Sequence, residues 1–308
     1  MITIFTPTYN RAHTLSRLFE SLQNQSLKSF EWIIIDDDSK DDTEKLVKSF
    51  ISKANFPIRY EKQSHGGKHR AINRAVKIAS YEWFFIVDSD DFLVTDAVEK
   101  IEVWINANKD DKKIAAVCGS RYETNKKEAL SVPSILTLNP GLKCHNHERE
   151  KYGLECDKAE IYRTHILNSH PFPEYDKEFF CTEAVCWDSI SFDGYYIAFY
   201  PDVIYMCEYM EDGLTKNGAN GYVGFSNNFY GFLDYAKIQI KCRGISADTF
   251  GLAFFALKVS KKKKIPLENL CSRLDLSKDE LKSFIKKYRR NIFQKIIAKL
   301  YNIICTAK

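Results

Sequence analysis

The chain has 308 residues, 44% apolar, 28% charged and 14% aromatic, with a formal net charge of +4. At roughly 100–200 residues per domain this suits one large globular domain or two modest ones. No run reaches the roughly 18 apolar residues of a membrane span, and no signal peptide precedes the first strand. The nine cysteines are an odd set with no Cys-x-x-Cys pair, which argues against a disulfide framework and for a reduced, cytoplasmic setting.

The charge is uneven. Lys258–Lys308 carries 15 Lys and Arg against 4 Asp and Glu, a surplus of +11 that leaves −7 for the rest. An acidic body and a basic tail suggest different partners for the two ends.

In chain order, Ile2–Phe5 reads as a β-strand closed by Thr6-Pro7-Thr8-Tyr9-Asn10-Arg11. Leu15, Leu18, Phe19 and Leu22 follow at helical spacing. Trp32–Ile35 is a second buried strand ending in Asp36-Asp37-Asp38-Ser39, and Asp42 or Thr43 starts a helix with Leu46, Val47 and Phe50 on its apolar face. Ile58–Tyr60 is a third strand. Gly66-Gly67-Lys68 then opens a helix carrying Ala71, Ile72, Ala75 and Val76. Trp83–Val87, the helix Ala97–Ile105 and the strand Ile114–Cys118, with Cys118 as a small core residue, complete an alternation of strands and helices to about residue 119. That alternation predicts parallel strands joined by crossover helices.

Beyond it, Arg121 to Glu150 has little periodicity and reads as a long surface excursion, functional or mobile. Asp157–Leu167 is expected to be helical, ended by Pro171 and Pro173, and Thr182–Ile190 a short amphipathic helix. Tyr195–Tyr200 and Val203–Cys207 read as strands, and Tyr222–Ile240 and Thr249–Val259 as helices. Lys261–Lys264 is a charge run that could mark a linker. Neither the dinucleotide fingerprint nor the P-loop signature is present, which argues against nicotinamide, flavin and P-loop enzymes.

The chemistry concentrates in Phe84-Phe85-Ile86-Val87-Asp88-Ser89-Asp90-Asp91, an apolar run that ends in three carboxylates. If the strand continues, Asp88 and Asp90 point to one side. Carboxylates so close raise one another's pKa unless a cation neutralises them. Mg2+ or Mn2+, which take oxygen ligands and share them with phosphates, would do so. The carboxyl end of a buried strand is also where open α/β sheets bind ligands. The same residues suit a turn with a helix cap.

Four motifs now stand in order, each after a strand: Thr6-Pro-Thr-Tyr-Asn-Arg, Asp36-Asp37-Asp38-Ser39, Gly66-Gly67-Lys68-His69-Arg70-Ala71-Ile72-Asn73 and Asp88-Ser89-Asp90-Asp91. Together they resemble the family 2 inverting glycosyltransferases of GT-A fold, over residues 1–120 and more loosely to about 215. The resemblance implies an α/β, Rossmann-like nucleotide-diphospho-sugar transferase fold with a helical C-terminal extension. It implies a GT-A domain over 1–215, with a donor-binding half (1–120) and an acceptor-binding half (121–215), and a helical region over 216–308. It implies a nucleotide-sugar donor and a divalent cation, Mn2+ or Mg2+.

Carried over by position, Asp37, with Asp36 as its neighbour, would hydrogen-bond a uracil-type base. Thr6, Pro7, Tyr9 and Arg11 would line its pocket. Lys68 and Arg70 would meet the base or phosphates, with Asn73 in the same motif, and Gly67 would let the backbone approach closely. Asp88 and Ser89 would sit at the ribose, and Asp90, with Asp88, would ligate the metal. As isolated residues, outside the family pattern, Asp37 and Lys68 read first as solvated loop charges.

Inversion needs a general base to take the acceptor hydroxyl proton during in-line attack. In relatives of this kind it is a carboxylate starting a helix after the metal motif. Thr182-Glu183-Ala184-Val185-Cys186-Trp187-Asp188 matches, with Thr182 as N-cap, Glu183 as the base and Asp188 as the alternative. Glu183 would also serve simple helix-dipole stabilisation. Asp157–Glu160 is expected to shape the acceptor side, and Glu208–Thr215 to close over the diphosphate. Cys144, His145 and His147 could be read as zinc ligands, but no second ligand pair has metal spacing, and an acceptor loop is preferred.

The tail carries Tyr288, Ile292, Phe293, Ile296, Ile297, Leu300, Tyr301 and Ile304 at helical spacing, interleaved with basic residues. Residues 286–308 would form an amphipathic basic helix, placed against an anionic membrane surface or packed on its own domain. Nucleic acid is not an expected partner. The Gln-x-x-Arg-Trp signature of processive synthases is missing. The sequence therefore predicts a metal-dependent, non-processive inverting transferase. It would move a hexose or acetamidohexose from a UDP-sugar to a glycan or lipid-linked glycan in surface polysaccharide synthesis. The protein would be cytoplasmic, or peripheral at the inner face of the plasma membrane. A GDP-sugar transferase, a nucleotidyltransferase and a non-catalytic nucleotide- or sugar-binding protein are the alternatives.

Overall fold

A computed structural model describes residues 1–125, 128–129, 132–208, 222–244 and 246–286. The chain divides into two compact units, Met1–Asn228 and Phe229–Lys308.

The first unit is built on one sheet. Strands β1 (Ile2–Thr8), β2 (Phe30–Asp36), β3 (Ile58–Lys62) and β4 (Trp83–Ile86) pair in parallel in the order 3-2-1-4. The crossovers are helices α1 (Ala12–Gln23), α2 (Thr43–Ile51) and α3 (Lys68–Ile78). Strands of this kind are covered on both faces and read as continuous apolar runs. Ile33, Ile34 and Ile35 are all fully buried. After β5 (Phe92–Leu93) and α4 (Ala97–Asn108) comes β6 (Ile114–Glu123), longer than expected, with Cys118 fully buried.

The alternation is interrupted at this point. β6 does not lie beside β4: β9 (Lys158–Arg163) is inserted between them, antiparallel to both. The helix expected over Asp157–Leu167 is therefore a strand followed by the short α6 (Thr164–Ser169). Pairing on both edges overrides the local helical pattern. Arg163 is buried, donating Nε to the Ile114 carbonyl and pairing with Glu82. The stretch after residue 121 is not a bare loop either. It holds β7 (Glu128–Ala129) and α5 (Ser134–Leu138), then β8 (Leu142–Cys144) and a 3-10 helix (Asn146–Tyr152). β7 pairs with the end of β6.

Helix α7 (Ala184–Phe192) leads into β10 (Tyr196–Cys207), one long strand rather than two. Its register slips between Phe199 and Val203, a bulge that accommodates Pro201. β10 runs parallel to β6, antiparallel to β5 and β8. Helix α8 (Tyr222–Asn227) closes the unit.

The second unit consists, among its described residues, of α9 (Phe229–Arg243), α10 (Ala247–Lys262), α11 (Leu267–Leu274) and helical residues 278–286. The single helix expected over Tyr222–Ile240 is thus broken at Asn228. Phe232, Leu233, Ala236, Ala253, Ala256, Leu270 and Phe284 are buried. Lys261–Lys264 is not a linker. It closes α10, with the Ile265 amide donating to the Ser260 carbonyl and Lys264 at positive φ. Lysines at this end suit the helix dipole. Among the described residues no helix is long and apolar enough to cross a membrane. The basic helix expected over 286–308 lies, beyond Lys286, outside them.

Candidate functional site

The carboxyl ends of the parallel strands open onto one cleft of about 680 Å³. Pro7, Tyr9, Arg11, Asp37, Gly67, Lys68, Asp88, Ser89, Asp90 and Glu183 all line it. Thr6, Asp36, Arg70, Asn73 and Asp188 do not line it, and each has a packing partner instead.

Strand alternation separates neighbours in the first two motifs. Thr6 is fully buried and its Oγ1 accepts from Trp32 Nε1 at 2.9 Å. Asp36 is also fully buried: Oδ1 accepts the Ser39 amide at 2.7 Å and Oδ2 the Tyr60 hydroxyl at 2.6 Å. Burial and the Asp36 charge push the Tyr60 phenol well above its ordinary pKa. Asp37 turns the other way. Its Oδ1 accepts from the Gly66 amide and from Gln63 Nε2, and its Oδ2 from the Gly67 amide, each at 2.8 Å. His65 Nδ1 lies 2.9 Å from Oδ2. The His65 ring sits between Tyr9 and Phe179, with centroids 4.5 and 5.2 Å away. Asp37 thus ties the second strand end to the glycine turn before α3.

Gly67 has φ 91° and ψ 162°, a region open essentially to glycine alone. A Cβ there would lie 1.9 Å from the Phe179 carbonyl oxygen. The segment it meets is fastened from several sides. Arg70 donates to the carbonyls of Gly66, Glu178 and Tyr175. Asn73 exchanges hydrogen bonds with the Phe172 backbone. Asn228 Oδ1 accepts the Phe179 and Phe180 amides. Arg70 and Asn73 therefore hold the far wall of the cleft.

Strand β4 ends at Ile86, so Asp88-Ser89-Asp90-Asp91 is a turn and not a strand extension. The Asp91 amide donates to the Asp88 carbonyl at 3.1 Å. The turn is braced by residues outside the four motifs. The Asp88 amide donates to the Tyr205 hydroxyl at 2.9 Å, and Arg17 donates to the Asp90 carbonyl. Arg17 also pairs with Glu208 at 2.7 Å, and the Glu208 amide donates to Asp91 Oδ1. Burial raises Asp91 to about 7, reinforced by the Asp88 charge. Burial and Asp88 likewise raise Asp90. Asp88 itself goes down: burial opposes its charge, but Lys68 and Arg121 outweigh it.

This acid surplus fits a divalent cation. No side chain among the described residues hydrogen-bonds or pairs with the Asp90 carboxylate, and no group of three or more His, Cys, Asp or Glu converges to form a complete cage. Asp88 and Asp90 would supply part of a coordination shell, leaving positions for diphosphate oxygens and water, as Mg2+ and Mn2+ prefer.

Across the cleft, the cap expected at Thr182 falls one residue later, on Glu183, and α7 begins at Ala184. The Val185 amide donates to the Thr182 carbonyl, and those of Cys186 and Trp187 to the Glu183 carbonyl. Lys68 Nζ stands 2.6 Å from Asp88 Oδ1 and 2.9 Å from Glu183 Oε1. Burial disfavours the ammonium, yet the two carboxylates outweigh it and hold the Lys68 pKa above its ordinary value. Asp188, by contrast, is buried and accepts from Asn146 Nδ2 at 2.6 Å.

Beside Glu183, the cleft is floored by the first residues of β9 and by the 3-10 helix. Glu160 pairs with Arg149 at 3.1 Å. Burial raises the Glu160 carboxyl against the pull of Arg149. Asp157, Lys158, Glu160 and Glu208 also line the cleft. The rest of Glu208–Thr215 lies outside the described residues. His145 stacks on Tyr196 at 4.1 Å and on His147 at 5.3 Å, and Cys144 is buried. These residues form a packed layer, and among the described residues no zinc-type cluster exists.

Comparison with known proteins adds three findings. The family model described as glycosyl transferase family 2 matches residues 3–170. Among curated proteins, the chain is 28% identical over 178 residues to the poly(ribitol-phosphate) beta-N-acetylglucosaminyltransferase TarS of Staphylococcus aureus. That match covers 56% of this chain but only 29% of the relative. It is 26% identical over 246 residues to the GalNAc(5)-diNAcBac-PP-undecaprenol beta-1,3-glucosyltransferase of Campylobacter jejuni, covering 77% of this chain and 73% of that one. Among solved structures, S. aureus TarS 1-349 in complex with UDP-GlcNAc superposes with TM-score 0.59 at 18% identity, over 94% of this chain and 92% of that one. The Pyrobaculum calidifontis mannosyltransferase PcManGT, in complex with GDP-Man and Mn2+, gives TM-score 0.55 at 15% identity, over 96% and 87%.

Proposed function

The chain belongs to glycosyl transferase family 2 and has the GT-A fold, and from that premise we propose that it is a metal-dependent, inverting, non-processive transferase. It moves a hexose or acetamidohexose from a UDP-sugar to a hydroxyl of a glycan or lipid-linked glycan in surface polysaccharide synthesis. The names of the relatives support the substrate classes: one is a beta-N-acetylglucosaminyltransferase and another a glucosyltransferase acting on an undecaprenol-linked glycan. A UDP-Glc:alpha-D-GlcNAc-diphosphoundecaprenol beta-1,3-glucosyltransferase of Escherichia coli, 28% identical over 182 residues, belongs with them.

One observation carries the reading. Asp88, on the donor side, and Glu183, at the start of α7, meet the same Lys68 ammonium. A base for the acceptor hydroxyl thus stands beside the carboxylates that would face the donor diphosphate. Residues 1–120 then act as the donor-binding half, and the region from 121 onward completes the acceptor side. Tyr9, His65 and Phe179 offer flat aromatic surface near Asp37 for the base. Asp88 and Asp90 would hold the cation, and Glu183 takes the proton from the attacking hydroxyl. A bound Mn2+ or Mg2+ supplies Lewis-acid stabilisation of the leaving diphosphate. Asp188, bound to Asn146, serves the fold of the acceptor wall rather than proton transfer. The basic residues 286–308 hold the protein at the anionic membrane surface where a lipid-linked acceptor would be found.

Thermal-shift measurement against UDP, GDP and CDP, with and without Mn2+, tests this reading. UDP with Mn2+ should stabilise most. Weak, metal-independent stabilisation by all three nucleotides would contradict it, and a preference for GDP would move the donor to the GDP-sugars.

A further inference from the structure

The ammonium of Lys68 occupies the position on Asp88 that a bound cation would contest. It lies 2.6 Å from Asp88 Oδ1 and 2.9 Å from Glu183 Oε1, with both carboxylates in the shared cleft. Lys68 is the first residue of α3, directly after Gly67, whose backbone is pinned by Asp37 and by the Phe179 carbonyl. The stem of Lys68 therefore starts from a fixed point, and only its flexible methylenes can move the charge.

We propose that Lys68 is a positioning residue that stands in for the divalent cation in the donor-free protein, so that the cation binds well only in company with the nucleotide. With donor absent, the ammonium satisfies Asp88 and holds Glu183 against it. When the nucleotide's diphosphate brings a second set of anionic oxygens, the ammonium transfers to them. That movement uncovers Asp88 and frees the Glu183 carboxylate for the acceptor hydroxyl in the same event. The base is thereby kept paired until a donor is in place, which would limit donor-independent chemistry. This inference rests on the transferase reading but concerns the order of assembly, which that reading leaves open.

The physical basis is competition for one oxygen set. Apparent affinity falls by the fraction of molecules in which the site is open to the incoming cation. Removing the ammonium removes that handicap. It also removes one unit of positive charge from the cleft, so a charge control is needed. Arg74→Gln removes the same charge from the same helix, at a residue that pairs with Glu61 and does not line the cleft.

Mn2+ binding to the intact chain, followed by electron paramagnetic resonance of the free ion, tests the proposal without any turnover. In the absence of nucleotide, Lys68→Met should bind Mn2+ about tenfold more tightly than the wild type. Arg74→Gln should change it by less than about twofold, and adding Asp88→Asn to Lys68→Met should abolish the gain. If Lys68→Met does not fold, Lys68→Gln replaces it, with the same expectation. Unchanged or weaker Mn2+ binding by the Lys68 variant, or an equal gain in Arg74→Gln, overturns the inference. Wild-type protein titrated with Mn2+ in the presence of UDP separates the two levels. Nucleotide-dependent Mn2+ uptake with no effect of Lys68 leaves the transferase reading standing and removes only the Lys68 role. If no Mn2+ uptake occurs even with UDP, both fall.

Discussion

Replacing Gly67 by alanine should unseat the wall of the cleft that carries Glu183. The added Cβ would lie 1.9 Å from the Phe179 carbonyl oxygen and 2.7 Å from its carbonyl carbon. Both are backbone atoms, so no side-chain rotation relieves the clash. The Phe179 segment cannot retreat freely, because Arg70 grips the Tyr175 and Glu178 carbonyls and Asn228 the Phe179 and Phe180 amides. Two costs combine. A non-glycine residue in this backbone region costs about 1–3 kcal/mol, and overpacking a tight contact about 1–3 kcal/mol more. A loss of about 4 kcal/mol is a large share of the roughly 5–15 kcal/mol that stabilises a domain. Urea unfolding followed by tryptophan fluorescence reads the loss, and UDP-Mn2+ thermal shift reads the site. The expected result is a large drop in midpoint, with the nucleotide-dependent shift reduced or gone. A variant within about 1 kcal/mol of wild type that still responds to UDP would refute the packing reasoning.

Asp36→Asn should act on stability rather than on turnover, because the carboxylate serves the Ser39 amide and the Tyr60 hydroxyl. A loss of about 2 kcal/mol is expected, with activity per folded molecule little changed; lost activity at full stability would return Asp36 to the donor site. His69 makes a pH-dependent contribution. Burial, reinforced by Arg70, lowers its imidazole from 6.5 to about 4. The unfolded chain therefore takes up a proton that the folded chain refuses. Nothing is lost above about pH 6.5, and up to about 3 kcal/mol is lost as pH falls towards 4. His69→Gln lacks this component, so the stability advantage of wild type over the variant should shrink between pH 7 and pH 4.5, whereas parallel curves would contradict the assignment. Co-sedimentation with vesicles containing anionic lipid should pellet the full chain but not one ending at residue 285; equal pelleting would remove the membrane role.

The parts of this molecule legible in sequence are those fixed by neighbours along the chain. β1 to β4 and their crossover helices follow from apolar runs and local periodicity, and each motif lies at a strand end because turns need Gly, Asp and Asn. Asp37, Lys68, Asp88 and Asp90 share a cleft for that reason. Alternation within a strand end is harder to read: Asp36 and Asp37 are adjacent and both buried, yet only Asp37 lines the cleft. Long-range pairing was not legible. β9 looks helical on its own, and only insertion between β4 and β6 makes it a strand. Asp88–Asp91 reads as either a strand extension or a turn, and Arg17, Tyr205 and Glu208, distant in sequence, brace it as a turn. The Lys68–Glu183 contact joins residues more than a hundred positions apart, with no local pattern to announce it.

In the proposed reaction Glu183, on one side of the cleft, takes the proton of the acceptor hydroxyl that attacks a sugar donor held on the other. Single-turnover transfer and donor binding by Glu183→Gln measure it most directly. UDP-sugar affinity should stay within about twofold while transfer slows by about 10²–10⁴. Transfer at the wild-type rate, with donor still bound, would contradict it.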